Sequence, residues 1–516
     1  MEEIMDNINP IMKTDYPDPD VIRVDDTYYM VSTTMHFMPG GVILRSYDLM
    51  HWEIVSYVFD ELDGTPGQKL QGREQIYGGG MWAASLRYHK GKFYVCFVAN
   101  DTYRTYLYQA DNICGPWKKQ YVEGFYHDCS LLFDDDDRVY IMYGNRNIYL
   151  TELNEQLTGP KEGGLHRLVV SDDGDVRLGY EGSHIYKICG KYYAFFIHWP
   201  CAGNDRRTQA CFVADSLEGE FRGCDVLDDD MGYWNQGVAQ GGIIDTPDGD
   251  WYAVLFQDCG AVGRIPVLVP IKWENDFPIF GQNGKVPESI TMKSLRPDYT
   301  YAPLFESDDF RYAAGEPLKK VWQWNHTPDS RLWSVQEPPG ALTVRTGKTC
   351  SSLIYAKNTL TQRMSFPRCE AYVTVDASGL QEGDYAGICA LQACYGMAAI
   401  TREQGRLYLV MKARDTDDKS LEAMEEDFGP GTEYARILWE GKEACLRISA
   451  DFSDKKDTVR FYYRKDGQWE MIGVPHKLYF KMDHFTGCRI GLFVYSTKQP
   501  GGTASFRSFV YEREKN

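Results

Sequence analysis

No apolar run in these 516 residues approaches the roughly 20 that a membrane-spanning helix needs, so no membrane partner is expected. The opening residues, Met1-Glu-Glu-Ile-Met-Asp, lack the basic and apolar stretches of a secretory signal. A cytoplasmic location is the expectation. The fourteen cysteines include no CxxC pair, and the nearest two are Cys389 and Cys394. Zinc-site spacing is therefore missing. Cys96, Cys189 and Cys211 lie inside apolar runs, as reduced, packed thiols do. Positive charge is short: 55 Lys and Arg stand against 74 Asp and Glu, for a net charge of −19. Such a surface repels phosphate backbones, which argues against nucleic-acid partners and fits a neutral substrate. Helix-period apolar patterns are scarce, so the class is all-β.

Aromatic residues are plentiful, at 14% of the chain with 36 Tyr and 12 Trp. They favour strands and also suit sugar sites, where a flat ring stacks on a sugar. The length predicts two domains. In the first, paired strand signals repeat: YPDPDVIRVDDTYYMVST from Tyr16, MWAASLRYHKGKFYVCFV from Met81, YHDCSLLFDDDDRVYIMYG from Tyr126, YEGSHIYKICGKYYAFFI from Tyr180 and VAQGGIIDTPDGDWYAVLF from Val238. Each has an apolar strand, a tight polar turn and a second strand. Their spacing of roughly 45 to 65 residues is that of a four-stranded propeller blade. Residues 1–300 are thus expected to form a five-bladed β-propeller. A polar, proline-containing stretch from Arg296 to about Asp309 reads as a linker. Residues 301–516 hold short strands between Gly, Asp and Asn turns, the pattern of a β-sandwich of jelly-roll, concanavalin-like form.

A propeller gathers the first strand of each blade around one axis. Asp18, Asp128 and Glu181 stand just before the first apolar strand of their repeats, and Trp82 takes that place in the second. Three carboxyls and an indole should therefore converge on one mouth. Carboxyls so gathered cannot all ionise cheaply, and their pKa values should separate. An acid/base pair for glycoside hydrolysis needs that separation. Taken singly, an acidic residue at a strand start more often caps a turn. Asp15 and Asp20 compete with Asp18, and Asp20 could share its face.

These residues resemble glycoside hydrolase family 43. NPIMKTDYPDPDVIRVDDTYYMVSTT looks like its opening motif, HDCSLLFDDDDRVYIMYG and YEGSHIYKICGKYYAFF like its other acidic motifs, and GGGMWAASLRYHKGKFYV like its second-blade motif. The likeness continues through AVGRIPVLVPIKW into VWQWNHTPDSRLWSV and GDYAGICALQACYG, similar to the appended sandwich of two-domain members. It implies an inverting, exo-acting β-xylosidase or α-L-arabinofuranosidase acting on short xylan- or arabinan-derived oligosaccharides. By position it implies Asp18 as general base, Asp128 as the carboxylate that tunes the acid and orients substrate, and Glu181 as general acid. Arg264 matches an arginine that hydrogen-bonds the terminal sugar, Trp82 a pocket indole, and Phe485 a phenylalanine from the sandwich that closes the pocket.

The chain also departs from the pattern. Ala239 stands where many relatives carry a histidine before Gln-Gly-Gly, which puts a channel calcium in doubt, although Gln240 remains. No cofactor is required by the expected chemistry. Met35 and His36, in TTMHFMPG, replace a commoner Phe-containing form and are expected to shape the pocket wall. His127 and His184 are expected to hydrogen-bond carboxylates. Asp134 to Asp137 read as a solvated turn. Trp322, Trp324 and Trp333 read as sandwich core or interface. The rival from another class is a non-catalytic sugar-binding propeller. A homo-oligomer is compatible with the sequence.

Overall fold

The computed structural model describes residues 8–415 and 429–514. Its first part is a propeller of five blades. Each of the first four blades is one antiparallel sheet whose four strands follow chain order from the axis outwards. Asp20–Val24, Thr27–Ser32, Gly40–Ser46 and Glu53–Phe59 form blade one; Met81–His89, Lys92–Ala99, Arg104–Ala110 and Lys118–Val122 form blade two. Blades three and four begin at Ser130–Phe133 and Val176–Ile188. In blade five the inner position is split between Val238–Ala239 and Ile243–Asp245, both paired with Trp251–Asp258. The inner strands of blades one to four touch in turn, Val238–Ala239 packs on the second and third strands of blade four, and Ile243–Asp245 returns to Asp20–Val24.

The expected turns form. Lys90 and Gly91 link His89 to Lys92 with φ of 48° and 81°, as a two-residue hairpin turn of the primed kind requires. The ring is fastened by the N-terminal segment. Asn9 bonds both backbone groups of Leu268, and the Tyr16 amide donates to the Arg264 carbonyl. No helix among the described residues is long and apolar enough to cross a membrane.

The second part is a sandwich of an eight-stranded and a seven-stranded sheet. One strand of the larger sheet comes from the propeller: Phe37–Met38 pairs with Gln323–Asn325. A single hydrophobic cluster also runs from Met12, Tyr16 and Val254 into Trp322, Trp324 and Phe461. The two parts therefore share a core. The connecting segment is docked as well: Arg296 pairs with Asp26, and Tyr299 and Tyr301 pack on Tyr47 of blade one.

Candidate active site

Asp18 and Asp128 each stand two residues before the inner strand of their blade, in the left-handed region, at φ of 51° and 48°. Aspartate is among the few residues that visit it readily. Both carboxylates are thereby turned inward and are almost fully buried. Glu181 departs from the sequence expectation. It lies inside the long strand Val176–Ile188, where the register shifts on both sides of it. A bulge, rather than a strand start, aims its side chain. Trp82 is likewise inside its strand, at a register shift between Met81 and Ala84.

Two sets of contacts divide the mouth. On one side Arg264 Nη1 donates to Asp18 Oδ1 at 2.8 Å, and Thr33 Oγ1 donates to Asp18 Oδ2 at 2.8 Å. The Arg264 guanidinium is covered by Phe485 at 4.5 Å from the ring centre, with Phe256 and Phe480 beyond. On the other side the Gly182 amide donates to Asp128 Oδ2, and His127 Nε2 lies 3.4 Å from Glu181 Oε2 and 3.8 Å from Asp128 Oδ2. Asn145 Nδ2 also donates to Glu181 Oε2. Asp128 Oδ1 is buried without a hydrogen-bond partner among the described residues. Trp82 bridges the two sets, its ring 5.8 Å from His127 and 5.3 Å from Phe485.

Burial raises the Asp18 pKa, against the pull of Arg264. Burial also raises that of Asp128, where His127 opposes the shift and Glu181 adds to it. For His127 burial acts downwards, but Asp128 and Glu181 prevail and lift it to about 9. The imidazole is therefore a cation at neutral pH.

The competing aspartates have other work. Asp20 is fully buried in the channel, bonded to Arg87, the Leu86 amide and His184. Burial opposes its ionisation, but Arg87 and His184 outweigh it and its pKa is lowered. Asp15 accepts from the backbone amides of Arg264 and Gly487, tying the mouth to the sandwich. His184 does bond a carboxylate, that of Asp20, and His127 reaches Asp128 and Glu181.

Three expectations need correction. His36 is not pocket wall. It is fully buried between the domains, its ring 4.7 Å from Tyr77, 5.0 Å from His326 and 4.8 Å from His484. The reason is that Phe37–Met38 joins the sandwich sheet and draws the preceding residue beneath it. Met35, 1% exposed, uses its backbone to bridge Met81 of the second blade. It too adds no surface to the mouth. In the Asp134 to Asp137 turn, Asp134 is buried against Lys187 and Tyr192, while the other three are exposed.

Gln240, at φ 56°, packs its side chain on Gly182, where an added Cβ would lie 2.6 Å from Gln240 Cδ. It thereby supports the strand that carries Glu181. Ala239 sits in an apolar cluster with Ile197 and Phe256. Its methyl side chain offers no ligand atom, so the residues present do not fit a channel cation held by a side chain at position 239. Trp322 and Trp324 are buried in the shared core, with Trp333 against Trp324.

Sequence reasoning missed Arg207 and Asn145. Arg207 ion-pairs with Asp258 and lies over the Trp199 ring at 5.2 Å. Burial and the nearby Arg264 lower its pKa to about 10, while Glu181 and Asp18 pull the other way. Its only signal was an arginine pair, Arg206-Arg207, ahead of an apolar strand.

Residues 8–278 match the family described as Glycosyl hydrolases family 43, and residues 307–512 match the beta xylosidase C-terminal concanavalin A-like domain. A beta-xylosidase of Formosa agariphila is 26% identical, covering 98% of this chain and 90% of its own length. Among solved structures, a bifunctional GH43-CE protein of Bacteroides eggerthii superposes with a TM-score of 0.91 at 39% identity. It covers all of this chain, which spans 64% of that protein's length. A second is a GH43 glycoside hydrolase engineered at its active site, described as displaying both endo-xylanase and exo-arabinofuranosidase activity. It gives a TM-score of 0.86 at 28% identity, with 98% of this chain and 99% of that one covered.

Proposed function

We propose, on the premise that this chain belongs to glycosyl hydrolases family 43 and is a glycosidase, that it releases terminal xylose or arabinofuranose from xylan- or arabinan-derived oligosaccharides with inversion. The observation that carries this reading is the division of the mouth. Asp18 is held with Arg264 and Thr33 on one side, and Glu181 with His127, Asn145 and Asp128 on the other. Opposed carboxyls are what single displacement by water requires.

In this mechanism Glu181 gives its proton to the leaving glycosidic oxygen. Asp18 accepts a proton from the water that attacks the anomeric carbon from the far side. Arg264 and Thr33 fix both oxygens of Asp18 and hold it as an acceptor. Asp128, with one oxygen free of hydrogen-bond partners among the described residues, is available to a sugar hydroxyl and adds negative charge beside the acid. Trp82 and Phe485 supply apolar faces and exclude water. A sugar-binding propeller without turnover has no need of this acid set. The fourteen unpaired cysteines support a reducing, cytoplasmic compartment and imported substrates.

The test uses leaving groups of different acidity. In Glu181→Ala, hydrolysis of xylobiose should fall by about 10²–10⁴-fold, and that of a nitrophenyl pentoside far less. Equal losses on both would remove Glu181 from the acid role.

A further inference from the structure

We propose that the exposed rings of Tyr103 and Phe125 form a platform for the leaving-group part of a neutral, β-linked pentose chain, a binding site beyond the scissile bond. This inference rests on the glycosidase reading above and extends it to longer substrates.

Topology puts both rings on the face that carries Asp128. In blade two, Met81 pairs with Ala99, Ala99 with Arg104 and Thr105 with Val122. The Tyr103 turn and the loop after Val122 are therefore at the same end of the sheet as Trp82. That loop leads directly to His127 and Asp128. Three residues of chain keep Phe125 within about 10 Å of Asp128, Cα to Cα. The side is also the right one. The acid must stand beside the leaving oxygen, His127 touches Glu181, and Phe125 lies two residues before His127.

The rings are exposed and close together. Tyr103 is 78% and Phe125 37% accessible, with ring centres 6.0 Å apart. They border a cleft of about 640 Å³ that also includes Tyr121, Glu123 and Thr158. Flat apolar faces edged by hydroxyl and carboxylate groups suit a pyranose, which offers C–H faces and an equatorial rim of hydroxyls. The neighbouring cation, Arg104, is already paired with Asp63 and lies over Tyr121, so the cleft carries no free positive charge for an anionic ligand.

The platform is also held rigid. Tyr103 has a φ of 52°, unusual for a bulky residue. Its turn is fixed by Asp101, which accepts from the Gly80 amide and from Gln68, and by Thr102 bonded to the Tyr106 hydroxyl. Thr105 Oγ1 donates to the Gly124 carbonyl and accepts from the Tyr126 amide, pinning the chain on both sides of Phe125. A surface ordered beforehand loses little entropy when a chain settles on it.

The experiment compares wild type, Tyr103→Ala, Phe125→Ala and the double variant on a nitrophenyl pentoside, xylobiose and xylohexaose. Both positions are exposed, so the variants should fold. The expected result is unchanged kcat/KM on the aryl pentoside and about a tenfold or greater fall on xylohexaose in the double variant, carried by KM. With Glu181→Ala added to each protein to stop cleavage, xylohexaose binding by calorimetry should weaken in parallel, a readout that does not need turnover. Unchanged xylohexaose kinetics and binding would overturn the proposal. So would a change of sedimentation alone, which would make the patch a contact between copies of this chain. Failure of the wild type to cleave any pentoside would instead remove the catalytic reading, with calorimetry still deciding the platform.

Discussion

Acid should loosen this protein at the seam between its domains. His36, His326 and His484 lie within 5.0 Å of one another through His36, beside Tyr77, and all are fully buried. Among the described residues, both ring nitrogens of His36 and of His484 lack hydrogen-bond partners. His326 accepts at Nε2 from the Ile76 amide, which requires a neutral ring. The charges acting on the three (Arg489, Lys348, Lys357 and the other histidines) are positive. Burial, aided by these charges, pushes His36 and His326 well below the ordinary value and His484 down to about 3. Their folded pKa values thus lie below the unfolded value near 6.5. Stability is complete above that value and is lost as pH falls through it. At pH 5.5 each ring that stays neutral costs about 1.4 kcal/mol, and three cost about 4 kcal/mol, a large share of the 5–15 kcal/mol typical of a folded protein. The assay is the denaturant midpoint of wild type and His36→Phe from pH 7.5 to 5.0. Phe at 36 forfeits no hydrogen bond and cannot take up a proton, so by pH 5.5 it should lose about 1.4 kcal/mol less stability than the wild type. Parallel curves for the two proteins would mean that His36 is protonated as readily in the folded protein as in the unfolded chain.

Two other outcomes concern the mouth. Asp18 must be ionised to act as base, and burial raises its pKa. The acidic limb of kcat/KM should therefore lie above the ordinary aspartate value near 3.9, with Asp18→Asn lowering kcat by about 10²–10⁴-fold at every pH. A limb at or below 3.9 would contradict this. His127→Gln removes a cation beside Glu181 and Asp128. The charge that opposes the burial-driven rise at Asp128 is then gone, so the limb of kcat/KM that follows Asp128 should move up. An unmoved or lowered limb would show that His127 does not act through charge.

The sequence made the blades legible because each repeat spells a strand, a turn and a strand within a short window. Asp18 and Asp128 were legible for the same reason: their matched places before inner strands carried them to one mouth. The bulge at Glu181 was not, because a register shift is a property of two paired strands and leaves little trace in either. His36 was assigned to the pocket by local likeness. What decides its place is the pairing of Phe37 and Met38 with Asn325 and Trp324, residues far along the chain that no local pattern connects. Arg207 was hidden similarly: its partners Asp258 and Trp199 come from other strands. Distinguishing Asp18 from Asp15 and Asp20 needed the hydrogen bonds that commit those two to the sandwich seam and the channel.

Direct displacement by water between Asp18 and Glu181 fixes the anomer of the first-formed sugar. It is tested most directly by proton NMR of the sugar released from a nitrophenyl β-xyloside in the first minutes of reaction. The first-formed product is expected to be the α-anomer, with the β-anomer appearing only by later mutarotation. An initial β-anomer would mean a covalent sugar-enzyme intermediate and would contradict the roles given to both carboxylates.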